Sequence, residues 1–240
     1  MIDWLLATAK TTLQADDTHI WYIDVAKHLS EIAKLYQLLT PEEQTRANKF
    51  KFDKDRQQCI IARAYLRIIL SHYVAIPATK FRFTAAQQGK LYLENFPDLQ
   101  FNVTHSNNII LYAVTYQESI GIDVEDETRV VEYYDLAKRF FAAHEAKALQ
   151  TLTEDVLRQA FYKIWTKKEA FIKAVGEGLS FPLQDFEVNY LAAIKETVKI
   201  YKNENIAAAN WIIENFQPIV NYQAAICRKN SLNKIFFYQY

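Results

Sequence analysis

Glycine and proline are scarce in this 240-residue chain, at four and five residues, which excludes a low-complexity or linker-dominated architecture. Cysteine is rarer still. Cys59 and Cys227 lie far apart in apolar surroundings, so neither a disulfide framework nor a zinc or redox spacing is available, and two buried thiols in a reducing cytosol are expected. Net charge is also missing: 28 basic residues balance 28 acidic ones, which excludes adsorption to nucleic acid or to a membrane surface by bulk field. No apolar run reaches the roughly 18 residues of a membrane span. The opening Met1-Ile2-Asp3-Trp4-Leu5-Leu6 carries an acid where a secretory signal is basic. The expectation is a soluble, cytoplasmic protein with no nucleic-acid or membrane partner, in which any anion recognition comes from local placement of charge.

What the chain has is hydrophobic residues at 50%, and a length that buries a real core as one large domain or two packed subdomains. Branched and aromatic residues predict a strand over 19–25. Thr40-Pro41-Glu42-Glu43 reads as a helix start, with a threonine cap, proline in the first turn and acids at the positive end of the dipole. A longer helix is expected from a cap at Asp53 to about Val74, burying Ile60, Ile61, Ala64, Leu66, Ile68 and Leu70. Short strands follow at 81–83, 91–93, 101–103 and 109–116.

A looser repetition of that order begins with a strand at 120–124. Helices over 132–140, 142–150 and 154–175 come next, the last closed by Gly176-Glu177-Gly178 and by Pro182. Strands are expected at 186–190, 197–201, 211–216 and 219–227, with a tail strand at 235–240. The class is α+β, in two halves, 1–117 and 118–240. The join falls beside Gly121-Ile122-Asp123-Val124-Glu125, and clefts commonly form at such boundaries.

In that pentapeptide, period-two alternation sends Ile122 and Val124 to a core and Asp123 and Glu125 together to the other face. Two neighbouring carboxylates repel, and a divalent ion or a cationic partner relieves them. On the 154–175 helix, Leu157, Phe161, Ile164, Phe171 and Val175 share one arc, while Trp165, Glu169 and Lys173 form a separate stripe, each one turn beyond the last. The two stretches together suggest one magnesium and phosphate site. Lys168 falls inside the apolar arc, where snorkelling is its only sequence-level account. Each signal has a plainer reading by itself. Glu169 and Lys173 make an ordinary i,i+4 pair worth about 0.3–0.5 kcal/mol, Asp123 and Glu125 solvated strand residues, His105 a histidine at a strand end, and Gln88-Gly89-Lys90 a turn.

Taken in order, however, the chain from about Pro41 to Leu183 resembles the surfactin-type (Sfp-like) 4′-phosphopantetheinyl transferases. The resemblance rests on Pro41-Glu42-Glu43 with Arg46, Tyr65-Leu66-Arg67, Gly89-Lys90 and Phe101-Asn102-Val103-Thr104-His105-Ser106. It continues through Gly121-Ile122-Asp123-Val124-Glu125, Lys138-Arg139-Phe140-Phe141 with Glu145, and Trp165-Thr166-Lys167-Lys168-Glu169-Ala170-Phe171-Ile172-Lys173-Ala174 with Gly176 and Gly178-Leu179. It implies two similar α/β halves related by a pseudo-twofold axis, in a monomer, with coenzyme A between them. The implied activity is transfer of the 4′-phosphopantetheine arm of coenzyme A to a serine of an apo acyl or peptidyl carrier protein, releasing adenosine 3′,5′-bisphosphate.

By the same likeness, Asp123, Glu125 and Glu169 are the magnesium ligands, and Glu169, Lys173 and His105 the catalytic set. Arg46, Lys90, Thr104, His105 and Lys173 are the coenzyme A contacts. The proton acceptor for the serine is Glu169, a metal-bound water or, less well placed, Glu145. The chain departs from the family in Leu91 where proline is usual, Thr104 where serine is common, and Ala85 where some relatives carry a phosphate contact; one fewer donor to coenzyme A is expected. Two other classes use the same residues: a magnesium-dependent hydrolase of nucleotides or pyrophosphates, and a coenzyme A-binding protein without turnover.

Overall fold

The computed structural model describes residues 2–7, 11–15, 17–86, 88–191, 195–200, 211–229 and 234–240. In the first half, strands β1 (Leu5–Leu6) and β2 (Asp17–Asp24) precede helices α1 (Ile32–Tyr36), α2 (Pro41–Asn48) and α3 (Asp53–Leu70). Strands β3 (Phe83–Ala85), β4 (Leu91–Leu93), β5 (Leu99–Ser106) and β6 (Ile109–Tyr116) follow. The second half runs through β7 (Ile120–Asp126), α4 (Tyr133–Phe140), α5 (Ala143–Leu149) and α6 (Glu154–Val175). It continues with β8 (Phe186–Glu187), β9 (Lys195–Thr197), β10 (Lys199–Ile200), β11 (Ile212–Phe216), β12 (Tyr222–Arg228) and β13 (Lys234–Gln239).

Local chemistry accounts for the helix limits. Thr40 Oγ1 accepts the Glu43 N–H at 3.3 Å while the Glu43 carboxylate accepts the Thr40 N–H at 2.9 Å, a reciprocal cap that starts α2 at Pro41. Asp53 is not the cap of α3. Phe52 holds that position with extended backbone, and Asp53 opens the first turn, where its charge meets the helix dipole. The helix stops at Leu70, short of the expected Val74, as Ser71 N–H turns back to the last carbonyls. Gly176, at φ 88°, ends α6 in the left-handed conformation that its lack of a Cβ makes cheap.

Two sheets carry the fold, ordered β1-β13-β2-β6-β5 and β7-β12-β11-β9 among the described residues. Alternation along β2 and β6 sends Trp21, Ile23, Ile110, Tyr112 and Val114 to a core under α3, and Ile20, Tyr22, Leu111 and Ala113 to the opposite face. That second face meets Ile122, Val124, Ala224 and Ile226 of β7 and β12. The far side of β11 and β12, through Ile213, Ala225 and Cys227, packs under α6. The layers are therefore α3, sheet, sheet, α6. They read the same from either end, as two similar halves about a pseudo-twofold axis require. Burying Ile122 and Val124 contributes about 1.5–3 kcal/mol each, so the acid-bearing strand is anchored by its apolar face.

Several strands differ from expectation. The segment 78–80 forms a 3-10 turn, so β3 begins only at Phe83. The strand expected over 186–190 is confined to Phe186–Glu187, and Tyr201 lies outside the described residues. The tail strand is β13, inserted between β1 and β2 and parallel to both. A division at residue 117 thus leaves the last strand of the chain in the sheet of the first half.

Gly121 decides how α6 meets β7. A Cβ built there lies 2.1 Å from the Ala170 carbonyl oxygen and 2.3 Å from the Ala174 nitrogen, both backbone atoms that no rotamer change can move aside. Gly121→Ala is expected to cost at least the roughly 1–3 kcal/mol typical of overpacking. Gly89→Ala, whose Cβ meets nothing within 4 Å, is expected to cost only about 1–2 kcal/mol for its positive φ. Thermal unfolding of the two variants tests the contrast; equal melting temperatures would contradict the close approach.

Candidate active site

Among the described residues, strand β7 is an edge strand, paired only with β12. Its free edge is closed by side chains of β5. Asn102 Oδ1 accepts the Ile122 N–H at 2.9 Å, and Ser106 Oγ accepts the Asp126 N–H at 3.1 Å. Between them, Thr104 Oγ1 donates to Asp123 Oδ1 at 3.0 Å, and Ser106 Oγ donates to Glu125 Oε2 at 3.0 Å. Alternate residues of β5 thus hold alternate residues of β7, a polar seam where a backbone ladder would otherwise run. Asn107, left-handed at φ 48°, extends it by donating from Nδ2 to Asp126 Oδ2 at 3.0 Å. Helix α3 pins this turn through Lys54 Nζ to Asn107 Oδ1 at 2.9 Å and Gln58 Nε2 to Asn107 O at 2.8 Å.

Helix α6 supplies the facing groups. Because Gly121 lets it lie on β7, Lys173 Nζ reaches Asp123 Oδ1 at 2.6 Å and Thr104 Oγ1 at 3.3 Å. Asp123 is buried, and its Oδ2 has no hydrogen-bond partner among the described residues. Glu169, one turn earlier, is half-buried. Burial first, and then the Asp123 charge, raise its carboxyl to about 7, with Lys173 opposing and Glu125 adding. Glu125 is raised by the same two leading causes, burial and Asp123. Among the described residues, no three Asp, Glu, His or Cys side chains stand close enough to hold an ion as they are. The three carboxylates interact electrostatically, while Lys173 holds one oxygen of the buried one.

Beside this cluster lies a cavity of about 290 Å³ between α2, α3 and strands β4 and β5. Its wall includes Arg46, Cys59, Arg63, Leu91 and Val103, with His105 beside them. Arg63 pairs through Nε with Glu43 at 3.4 Å, while its Nη1 is buried without a partner among the described residues. His105 is exposed, yet the protein around it and then the Lys173 ammonium lower its imidazole below the ordinary value. The result is a space floored by apolar side chains and edged by Arg46, Arg63 and His105 together with Glu43 and Asp55, and His105 follows Thr104, which contacts Asp123.

Two family models match the chain: the 4'-phosphopantetheinyl transferase superfamily over residues 119–227, and the N-terminal part of a 4'-phosphopantetheinyl transferase over residues 27–117. Among curated relatives, 4'-phosphopantetheinyl transferase HetI of Nostoc is 35% identical over 188 residues, 77% of this chain and 79% of its own length. Sfp of Bacillus subtilis is 30% identical over 206 residues, covering 86% of this chain and 89% of its own. The chain belongs to the 4'-phosphopantetheinyl transferase superfamily. Neither a hydrolase nor a non-catalytic binder finds support in these matches.

Set within that family, the residues singled out from sequence divide by what they touch. Thr104, Asp123 and Lys173 are in mutual contact, with Glu125, Glu169 and His105 electrostatically coupled to them. Arg46 is exposed at the cavity. Lys90 sits elsewhere: its ammonium donates to the carbonyls of Ile120 at 3.1 Å, Lys173 at 2.8 Å and Ala174 at 3.0 Å. All three of its protons are engaged, so in this phosphopantetheinyl transferase it fastens the end of α6 to the start of β7.

Glu145 is not near the carboxylates' solvent face. It is buried, and accepts from Ala142 N–H at 2.8 Å, Val188 N–H at 2.8 Å and Lys168 Nζ at 2.8 Å. Lys168 does not snorkel; it is fully buried, and also donates to the carbonyls of Leu183 at 2.8 Å and Phe186 at 2.7 Å. Burial pushes the Glu145 carboxyl up and the Lys168 ammonium down, and the ion pair opposes both. Sequence reasoning passed over Asn102, Ser106 and Asn107, although the alternation of Asn102, Thr104 and Ser106 was there to see. It also passed over Arg63, whose helical spacing from Cys59 and Leu66 gave no sign of the cavity.

The three acids suit a hard divalent cation. They offer oxygen donors only, one buried oxygen is without a partner among the described residues, and burial, followed by repulsion from Asp123, raises two of the carboxyls. The raised Glu169 value carries a stability signature in metal-free protein. Between about 4.5 and about 7 the folded state holds a proton that the unfolded chain has released, so this contribution to stability is present at low pH and lost as pH rises to 7. Glu169→Gln, uncharged throughout, is expected to flatten that part of the melting-temperature profile in EDTA and to raise the melting temperature at pH 8. Parallel profiles for wild type and variant would contradict the shift.

Proposed function

We propose that this chain transfers the 4′-phosphopantetheine arm of coenzyme A to a serine hydroxyl of an apo carrier protein. On this reading it is a holo-[acyl-carrier-protein] synthase type transferase, acting as a cytoplasmic monomer on acyl or peptidyl carriers without nucleic acid. Family membership carries the transferase activity. The contact of Lys173 with Asp123 and Thr104 beside a cavity edged by charged side chains supports the assignment of individual residues.

Arg46, Arg63 and His105 hold the phosphates of the nucleotide end, since fixed donors at a partly desolvated site bind anions well. Lys173 exchanges Asp123 for a diphosphate oxygen. Asp123, Glu125 and Glu169 would hold magnesium, which would supply positive charge to offset the negative charge that builds on the leaving group. The serine Oγ forms its bond to the phosphorus nearest the pantetheine, and the bond from that phosphorus to the oxygen of adenosine 3′,5′-bisphosphate breaks.

The serine proton passes to a carboxylate, and we assign this to Glu169, which stands in the cluster with Asp123 and Glu125. Glu145 has no oxygen to spare, since Lys168 and two backbone N–H groups occupy it. No helix among the described residues is long and apolar enough to cross a membrane, which is compatible with cytoplasmic carriers as partners.

The test is intact-protein mass spectrometry of apo carrier proteins of fatty-acid, polyketide and peptide type, each incubated with the chain, coenzyme A and magnesium. A phosphopantetheine adduct is expected on at least one carrier, and is expected to vanish with Glu169→Gln while circular dichroism stays unchanged. Unmodified carriers throughout would defeat the transferase reading, and full activity of the variant would remove Glu169 from the chemistry.

A further inference from the structure

Glu125 is less firmly anchored than Asp123. Asp123 is buried and held by Lys173 and Thr104, whereas Glu125 is half-buried on a longer side chain beside a like charge. Left alone, it would swing from Asp123 towards water. A hydrogen bond opposes this: the Ser106 hydroxyl donates to Glu125 Oε2 at 3.0 Å. That hydroxyl is itself directed, because its oxygen accepts the Asp126 N–H at 3.1 Å and its single proton is then committed to Glu125. The turn behind it is fixed by Lys54 and Gln58 of α3 and by the contact of Asn107 with Asp126.

We propose that Ser106 is a positioning residue for the metal site: its hydroxyl clamps the Glu125 carboxylate and the backbone of the next residue together, presetting Glu125 beside Asp123. This rests on the reading of Asp123, Glu125 and Glu169 as metal ligands. Ser106 touches no reacting atom. It acts on the ion through Glu125, as outer-shell hydrogen bonds to ligating carboxylates commonly do, at about 10–100-fold in affinity. Thr104 serves Asp123 in the same way one residue pair along, and Asn102 sets the height of the strand through Ile122 N–H. The three side chains form a rail whose spacing sets the spacing of the acids.

The experiment titrates Mn²⁺ into purified protein without coenzyme A, reading free Mn²⁺ by electron paramagnetic resonance. Coenzyme A affinity is measured separately in EDTA. Ser106→Ala is expected to weaken Mn²⁺ binding at least about 10-fold, with coenzyme A affinity held within about twofold. Ser106→Thr, which keeps the hydroxyl, is expected to restore Mn²⁺ binding. In turnover, the Mg²⁺ concentration for half-maximal rate rises for Ser106→Ala while the KM for coenzyme A at saturating Mg²⁺ does not. Should Ser106→Ala fail to fold, Ser106→Gly removes the same hydroxyl without leaving a methyl group against Glu125.

Mn²⁺ binding by Ser106→Ala equal to wild type, with wild type binding well, would overturn the positioning role alone. A parallel loss of Mn²⁺ and coenzyme A affinity, unrescued by threonine, would reduce Ser106 to a fold residue and overturn it too. Wild type that binds no Mn²⁺ would overturn the metal reading along with it.

Discussion

Helix α6 lies on strand β7 at a distance that only a residue without a Cβ permits, and the site depends on that contact. Gly121 places the backbone of Ala170 and Ala174 where a side chain would otherwise be. From there the stripe of Glu169 and Lys173 faces Asp123 and Glu125, and Lys90 fastens the helix end to the start of the strand. Had the helix stood further off, the lysine would reach neither Asp123 nor Thr104. The carboxylates would then relax into solvent with ordinary acidities.

The second constraint is electrostatic. Three carboxylates are kept partly out of water with one lysine among them, so the metal-free site is under repulsion that an incoming cation relieves. Such strain is stable only because the apolar face of β7 is sealed between the two sheets and its free edge is bonded to β5. The fold opposes the repulsion with burial on one side and directed hydrogen bonds on the other. A site held in this way is poised for a charged ligand, since the groups that bind it need little rearrangement.

Much of this was legible in the chain. The limits of α6, its left-handed stop at Gly176, and the division of β7 into apolar and acidic faces follow from periods of 3.6 and 2. The pairing of Lys168 with Glu145 was not legible. A lysine in an apolar arc announces a buried cation, but its partner sits on another helix, and local pattern carries no information about which distant acid will meet it. The seam between β5 and β7 was hidden for the same reason: Asn102, Thr104 and Ser106 alternate visibly, yet alternation says which side they share and not what lies there. The placement of β13 in the first sheet was equally out of reach, because the pairing of a terminal strand is fixed by tertiary packing of Ile235, Phe237 and Tyr238 rather than by its own sequence. Lys90 here donates to the end of α6, and a lysine after a turn glycine has the same appearance in sequence whether it faces a ligand or the end of a helix.

The claim on which the rest stands is that Asp123, Glu125 and Glu169 serve one cation. Crystals grown with Mn²⁺ and coenzyme A, measured at the manganese absorption edge, test it directly. The account predicts a single anomalous peak within coordinating distance of oxygens from all three side chains, with Lys173 turned from Asp123 towards the diphosphate. A peak elsewhere, or one touched by only one of the three acids while Lys173 stays on Asp123, would contradict it.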